Sequence, residues 1–348
     1  MNSVDNFDPN GVGIDNGAYF SMPFSVDQAR VVLVSAPWDV TVSYDEGAAI
    51  APDAIIEAST QLDFYDSSAV DAWREGIATA EIDYNILEVS QRLRRDAKRV
   101  IDHLESGEDP ASDYIKRYVK RVNMGCSQLN DNIYNQCRAL LSKGKLIGLV
   151  GGDHSTPYGA IKAISECYNS FGILHIDAHC DLREAYEGFE FSHASIMYNV
   201  LRDIKQVEQI VQVGVRDFCD DELNYASSSD RITMFDDYAL ARARFEGATW
   251  GDQCREIVSK LPSDVYISFD IDGLSMSYCP NTGTPVSGGL SFNEALYLLE
   301  CVTESGRRII GFDLVEVAPH PKQRIDAIVG ARMLFKLCGQ MIKSNNTK

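Results

Sequence analysis

A chain of 348 residues with 45% hydrophobic and 24% charged side chains has the composition of a globular enzyme and the length for a large core in one domain. Its 51 acidic residues against 32 basic ones give a net charge of −19, which argues against nucleic acid or an anionic membrane as the main partner, since both reward clustered Lys and Arg. No Lys or Arg precedes Arg30 and no apolar run reaches transmembrane length, so neither a signal peptide nor a membrane span is expected, and the expected location is the cytoplasm.

The first 28 residues are polar and rich in Asn, Gly and Asp, and read as a loose arm or an edge-packing extension. Arg30–Ser35 is a β-rich run, Ala51-Pro52 opens a helix with proline in its first turn, and Ile77–Asp83 is a second candidate strand. From Asn85 to Ser142 apolar residues recur at threes and fours, interrupted at Ser106–Pro110, so the spacing predicts two amphipathic helices inserted around 85–142. Beyond Lys145 strands are expected at 146–150, 172–176, 209–215, 231–235, 265–270 and 308–314, with helices such as Tyr158–Tyr168, Phe292–Glu304 and Asp326–Met341 between them. Such alternation predicts an α/β protein, a three-layer α/β/α arrangement with a mainly parallel sheet of about eight strands, formed by residues 29–348 as a single catalytic domain. The nine cysteines include no Cys-x-x-Cys pair, so reduced thiols are expected.

Three of these strands end in groups of metal-binding side chains: His154 in Gly151-Gly152-Asp153-His154-Ser155, then Asp177, His179 and Asp181, then Asp270 and Asp272. The carboxyl ends of neighbouring strands in an open parallel sheet line one crevice, where distant segments can converge. Asp-x-His-x-Asp and Asp-x-Asp put alternate side chains on one side of extended backbone. Buried together, these carboxylates would need cationic partners, and neither triplet contains a Lys or Arg. Divalent metals are the natural residents. His154 alone reads as structural or capping, and a phosphate loop is not supported, because no Gly-Lys-Ser/Thr follows the glycines. Cys180, between His179 and Asp181, is expected to point the other way, and His175 and His320 read as structural.

These motifs, with Ser-Phe-Asp-Ile-Asp at 268–272, Asn-Thr-Gly-Thr-Pro at 281–285 followed by Gly288-Gly289-Leu290, and Asp-Leu-Val-Glu at 313–316, resemble those of the ureohydrolase superfamily of arginases and agmatinases. The resemblance implies an arginase-like α/β/α fold and two Mn²⁺ ions, other divalent transition metals also suiting the donors. His154 and Asp181 would hold one ion, His179 and Asp272 the other, and Asp177 and Asp270 would bridge them. A water shared by two such ions loses a proton at neutral pH and becomes a nucleophile. The resemblance also assigns proton handling to Asp181, a guanidinium-holding carboxylate to Glu316 and a proton shuttle to His193, and it implies a homo-oligomer, a trimer or hexamer.

The Asp181–His193 segment resembles agmatinase-type members, lacking the Asn- and Ser/Thr-rich loop of arginases. The implied partner is a small cationic guanidino substrate such as agmatine, cleaved to putrescine and urea, with Arg183 and Glu184 near its tail. Arg183 could equally meet a carboxylate, which keeps arginase, guanidino-acid hydrolase and formiminoglutamate hydrolase open within the superfamily. Outside it stand a one-metal, deacetylase-like amidohydrolase and a catalytically silent, metal-binding regulatory paralogue. Ser275-Met276, Asn281 and Glu46–Pro52 depart from the superfamily's pattern without removing a metal ligand.

Overall fold

In the computed structural model, which describes residues 7–320 and 322–346, eight strands form one sheet. They are β1 (Val31–Ala36), β2 (Ile77–Thr79), β3 (Leu146–Gly151), β4 (Phe171–Ile176), β5 (Val207–Val213), β6 (Ile232–Phe235), β7 (Asp264–Asp270) and β8 (Arg308–Val315). Every pairing is parallel, in the order β2-β1-β3-β8-β7-β4-β5-β6. The three-layer α/β/α expectation is met, and the expected strands lie within a few residues of their places. β2 is the shortest: it stops at Thr79, and Asp83 instead caps a helix by accepting from the Asn85 amide.

Side chains of buried parallel strands alternate between two apolar layers. Val265, Ile267 and Phe269 of β7 face a core shared with α1 (Ala51–Ser59), α8 (Trp250–Ser259), α9 (Phe292–Glu304) and α10 (Ile325–Asn346). Tyr266 faces the opposite layer, with residues of α4 (Tyr158–Ser165) and α5 (Ile196–Asp203). The two inserted helices, α2 (Tyr84–Glu105) and α3 (Asp113–Leu141), carry their apolar stripes onto β1 and β3. Ser112 caps α3 by accepting from the Ile115 amide, which starts the second helix after the Pro110 break.

The N-terminal segment is exposed at Val12 and Ile14 and packs onto the domain further along. Tyr19, Phe20 and Met22 are buried in the core that α1 and α10 share, and the Tyr19 hydroxyl lies 2.8 Å from Ser35 Oγ. Met1–Asn6, part of the expected arm, and residues 347–348 lie outside the described residues.

Candidate active site

The sheet order brings the sequence groups together. β3, β8, β7 and β4 are consecutive neighbours at its centre, and their carboxyl ends carry His154, Glu316, Asp270 with Asp272, and Asp177 to Asp181. Tight backbone makes this possible. A β-carbon on Gly152 would lie 1.7 Å from the Trp38 carbonyl oxygen, and one on Gly273 would lie 2.7 Å from the Asp177 nitrogen. Asp181 and Glu316 adopt left-handed backbone, with φ of 55° and 60°. For non-glycine residues such conformations cost free energy and concentrate where a side chain must be aimed.

His154 Nδ1 lies 2.9 Å from Asp177 Oδ2, 3.1 Å from Asp181 Oδ2 and 3.2 Å from Asp270 Oδ2. His179 Nδ1 lies 3.1 Å from Asp272 Oδ2 and 3.5 Å from Asp177 Oδ1. Two sets of donors able to hold a metal result: His154, His175, Asp177 and Asp181 form one, and Asp177, His179 and Asp272 the other, with Asp177 common to both. Backbone amides fix the carboxylates: Ala178 N–H donates to Asp272 Oδ1 (3.0 Å), His179 N–H to Asp177 Oδ1 (2.6 Å) and Asp272 N–H to Asp270 Oδ1 (2.8 Å).

The chemistry of this donor set fits a cation. Ser268 Oγ donates to Asp313 Oδ1 (3.2 Å) and stands 2.9 Å from His154 Nε2. With its own proton committed, the hydroxyl accepts from His154 Nε2–H, so Nδ1 points its lone pair at three carboxylate oxygens. Among the described residues nothing donates to that buried Nδ1. A lone pair facing anions requires a proton or a metal ion between them.

The protonation pattern without a cation makes the same point. Burial opposes charge on His154, yet Asp177, Asp181 and Asp270 hold its proton well above the usual imidazole range. Asp272 and Asp177 do likewise for His179. Burial would raise Asp177, but His175, His154 and His179 keep its carboxyl well below the ordinary carboxylate range. Burial and Asp177 push Asp181 up to about 6, and burial with Asp272 and Asp177 holds Asp270 well above the ordinary carboxylate range. Without a cation the crowded carboxylates are balanced by protons held on the imidazoles, and divalent ions displace such protons when they bind.

Glu316 is buried beside the cluster. Its Oε1 accepts from the His154 amide at 2.8 Å, while burial and Asp153 raise its carboxyl well above the ordinary range. A buried carboxylate so placed is stabilised by a cationic ligand. A cavity of about 300 Å³ opens over the cluster, lined in part by His179, Asp181, Arg183, Tyr186, His193, Asp217 and Glu222. The His193 ring is half-buried; desolvation, with His179, His154 and Arg94 nearby, pushes it down to about 3, so it stands neutral. Its amide donates to Thr41 Oγ1 at 3.1 Å. The Arg183 guanidinium lies over the Tyr186 ring, 4.7 Å from its centroid, with Nε 3.7 Å from Glu222 Oε2. Glu184 is exposed and does not line this cavity. Cys180 points away from the cluster into the layer with Met234, 3.8 Å between the sulfurs.

Several residues that shape the site were not singled out from sequence. His175, read as structural, reaches Asp177 at 2.7 Å; its spacing of two from Asp177 along a strand was the available signal. Arg216 binds the backbone of the Asp272 loop, donating to the carbonyls of Asp272 (2.7 Å), Gly214 (2.8 Å) and Val286 (3.0 Å). Glu222 holds the segment after Asp181 by accepting from the Leu182 amide at 3.1 Å. The unusual Asn281 pairs with buried Asp326 at the start of α10, Nδ2 to Oδ2 at 2.8 Å.

An all-parallel sheet with catalytic-type carboxylates and imidazoles gathered at its central strand ends defines a hydrolase of the α/β/α class. The chain matches the arginase family over residues 29–339 and belongs to that family. It is 30% identical over 317 residues to the N(1)-aminopropylagmatine ureohydrolase of Thermus thermophilus, covering 90% of each chain. With the agmatinase of Halalkalibacterium halodurans it shares 31% identity over 307 residues, 87% of this chain and 89% of the other. The proclavaminate amidino hydrolase structure from Streptomyces clavuligerus superposes with a TM-score of 0.72 at 23% identity, covering 94% of this chain and 97% of that one, a likeness of fold.

Proposed function

We propose that this protein hydrolyses a guanidino compound of the agmatine type, releasing urea and the corresponding amine. The observation that carries the reading is the pair of donor sets joined through Asp177, with the buried Glu316 carboxylate beside them. His154 and Asp181 would hold one divalent ion, His179 and Asp272 the other, and Asp177 and Asp270 both. Bound there, the two ions supply the positive charge that activates a water for attack on the electron-poor guanidino carbon.

The remaining work falls to side chains. Glu316 receives the guanidinium through a charge-assisted pair and fixes its plane, which supplies the orientation that an unreactive carbon needs. Asp181, buried at the cluster and lining the cavity, is placed to pass a proton to the leaving nitrogen. His193, half-buried at the cavity wall, is placed to exchange protons with solvent. The relatives named for agmatine and aminopropylagmatine favour a cationic tail, and exposed Asp217 at the cavity wall is complementary to one. Arg183, already engaged by Tyr186 and Glu222, orders the cavity mouth, and Glu184 acts on the tail only through the field outside it. Manganese as the resident metal, a homo-oligomer and a cytoplasmic location complete the reading. Among the described residues no helix is long and apolar enough to cross a membrane.

The test is to load the purified protein with Mn²⁺ and offer agmatine, aminopropylagmatine, arginine, guanidinobutyrate and formiminoglutamate, measuring urea or formamide. Urea from the cationic-tailed guanidines is expected. Two ions bound per chain with none of these compounds turned over would overturn it.

A further inference from the structure

Two residues before Asp177 and Asp270 in the chain, a row of polar side chains crosses four central strands. Gln212 of β5 is in register with His175 of β4, His175 with Ser268 of β7, and Ser268 with Asp313 of β8. All four are fully buried, each at 0% exposure. The interior of a parallel sheet is ordinarily apolar, and polar groups there cost free energy unless each is used. Ser268 and Asp313 serve His154, as described above. The other half of the row leads to Asp177.

Gln212 Nε2 lies 2.7 Å from the Cys180 carbonyl oxygen and 3.0 Å from His175 Nδ1. A carbonyl only accepts, so the amide nitrogen is the atom that faces it, and its second hydrogen is directed at Nδ1. Nδ1 therefore accepts, the ring proton resides on Nε2, and Nε2–H donates to Asp177 Oδ2 at 2.7 Å. Asp177 is the carboxylate common to both donor sets. Its Oδ1 is held by the His179 amide and its Oδ2 by His175, so both oxygens are oriented before any ion arrives.

We infer that His175 and Gln212 are positioning residues for the metal pair: Gln212 selects the His175 tautomer, and His175 donates to the carboxylate that joins the two ions. His175 is thus not a third imidazole ligand, although it lies close enough to the first donor set to be mistaken for one. The inference rests on the two-metal reading of the site. Outer partners of this kind typically change metal affinity about 10- to 100-fold when removed.

The test is Mn²⁺ titration of the metal-free protein, followed by electron paramagnetic resonance, for the parent and for His175→Phe, His175→Gln and Gln212→Met. The phenylalanine fills the space without a donor, and the glutamine restores an N–H near the position of Nε2. Expected are about tenfold or greater weakening of Mn²⁺ binding for His175→Phe, recovery to within about threefold of the parent for His175→Gln, and an intermediate loss for Gln212→Met. A role in packing alone would favour phenylalanine over glutamine, and a ligand role would leave both equally weak; either ranking overturns the inference. So would parent-like affinity in all three. If His175→Phe does not fold by circular dichroism, Gln212→Met decides, since it leaves His175 in place, and unchanged affinity there overturns the inference. A parent that binds fewer than two ions counts against the two-metal reading itself.

Discussion

Replacing Glu316 by Gln should move activity and stability in opposite directions. Gln can still accept from the His154 amide through its oxygen, as Glu316 Oε1 does at 2.8 Å. Its amide hydrogens then face the guanidinium, which offers only donors, so an ionic pair becomes a repulsive contact in a buried site. Truncating one partner of a buried, hydrogen-bonded charge pair costs about 2–5 kcal/mol, so kcat/KM should fall at least about 30-fold. Stability responds the other way. Burial and Asp153 raise the Glu316 carboxyl, so the folded chain holds this proton more tightly than the unfolded chain does. The group's contribution is complete below the unfolded carboxyl range and is lost as pH rises towards the folded value. Near neutrality the buried carboxyl is a cost to the folded state that Gln removes. For a chain of 348 residues, each kcal/mol relieved raises Tm by about 1–2 °C. Urea release at subsaturating agmatine and thermal unfolding of the metal-free protein at pH 7 measure the two effects. A variant within a few-fold of parent activity, or one markedly less stable, would refute the role given to this carboxylate.

Two further substitutions separate the parts of the site, and a third tests a half-buried carboxyl outside it. Asp177→Asn should abolish urea release and reduce bound metal below two ions per chain by elemental analysis; two ions still held tightly would remove the bridging role. His193→Ala should keep the metal count and lower kcat about 100-fold, within the usual range for a general acid or base, and parent-like kcat would remove the shuttle. Glu187, held up to about 7 by burial and by Glu105, is a carboxyl whose stabilising contribution is complete below the ordinary Glu range and lost as pH rises through about 7. Glu187→Gln should therefore raise Tm at pH 8 and change it little at pH 5; equal shifts at both would contradict that.

The ligand groups were legible because each follows an apolar run that could only be a buried strand, and Asp-x-His-x-Asp states its own periodicity. Strand order was not legible. Nothing local to Arg308–Val315 says that it lies between β3 and β7, yet that placement puts Glu316 beside His154. His175 was missed because a histidine inside a strand is ordinarily a satisfied core residue, and its partner Gln212 comes from another strand. Arg183 and Glu184 looked equivalent in sequence; the chain turns between them, leaving one stacked on Tyr186 at the cavity and the other in solvent. The polarity of the N-terminal segment hides the fact that Tyr19, Phe20 and Met22 anchor it in the core while Val12 and Ile14 stay exposed.

Diffraction from Mn²⁺-loaded crystals at the manganese absorption edge tests the central claim most directly. Two anomalous peaks about 3.5–4 Å apart, with Asp177 between them and His154 and His179 on opposite sides, are predicted. A single peak, or two that do not share Asp177, would contradict the account.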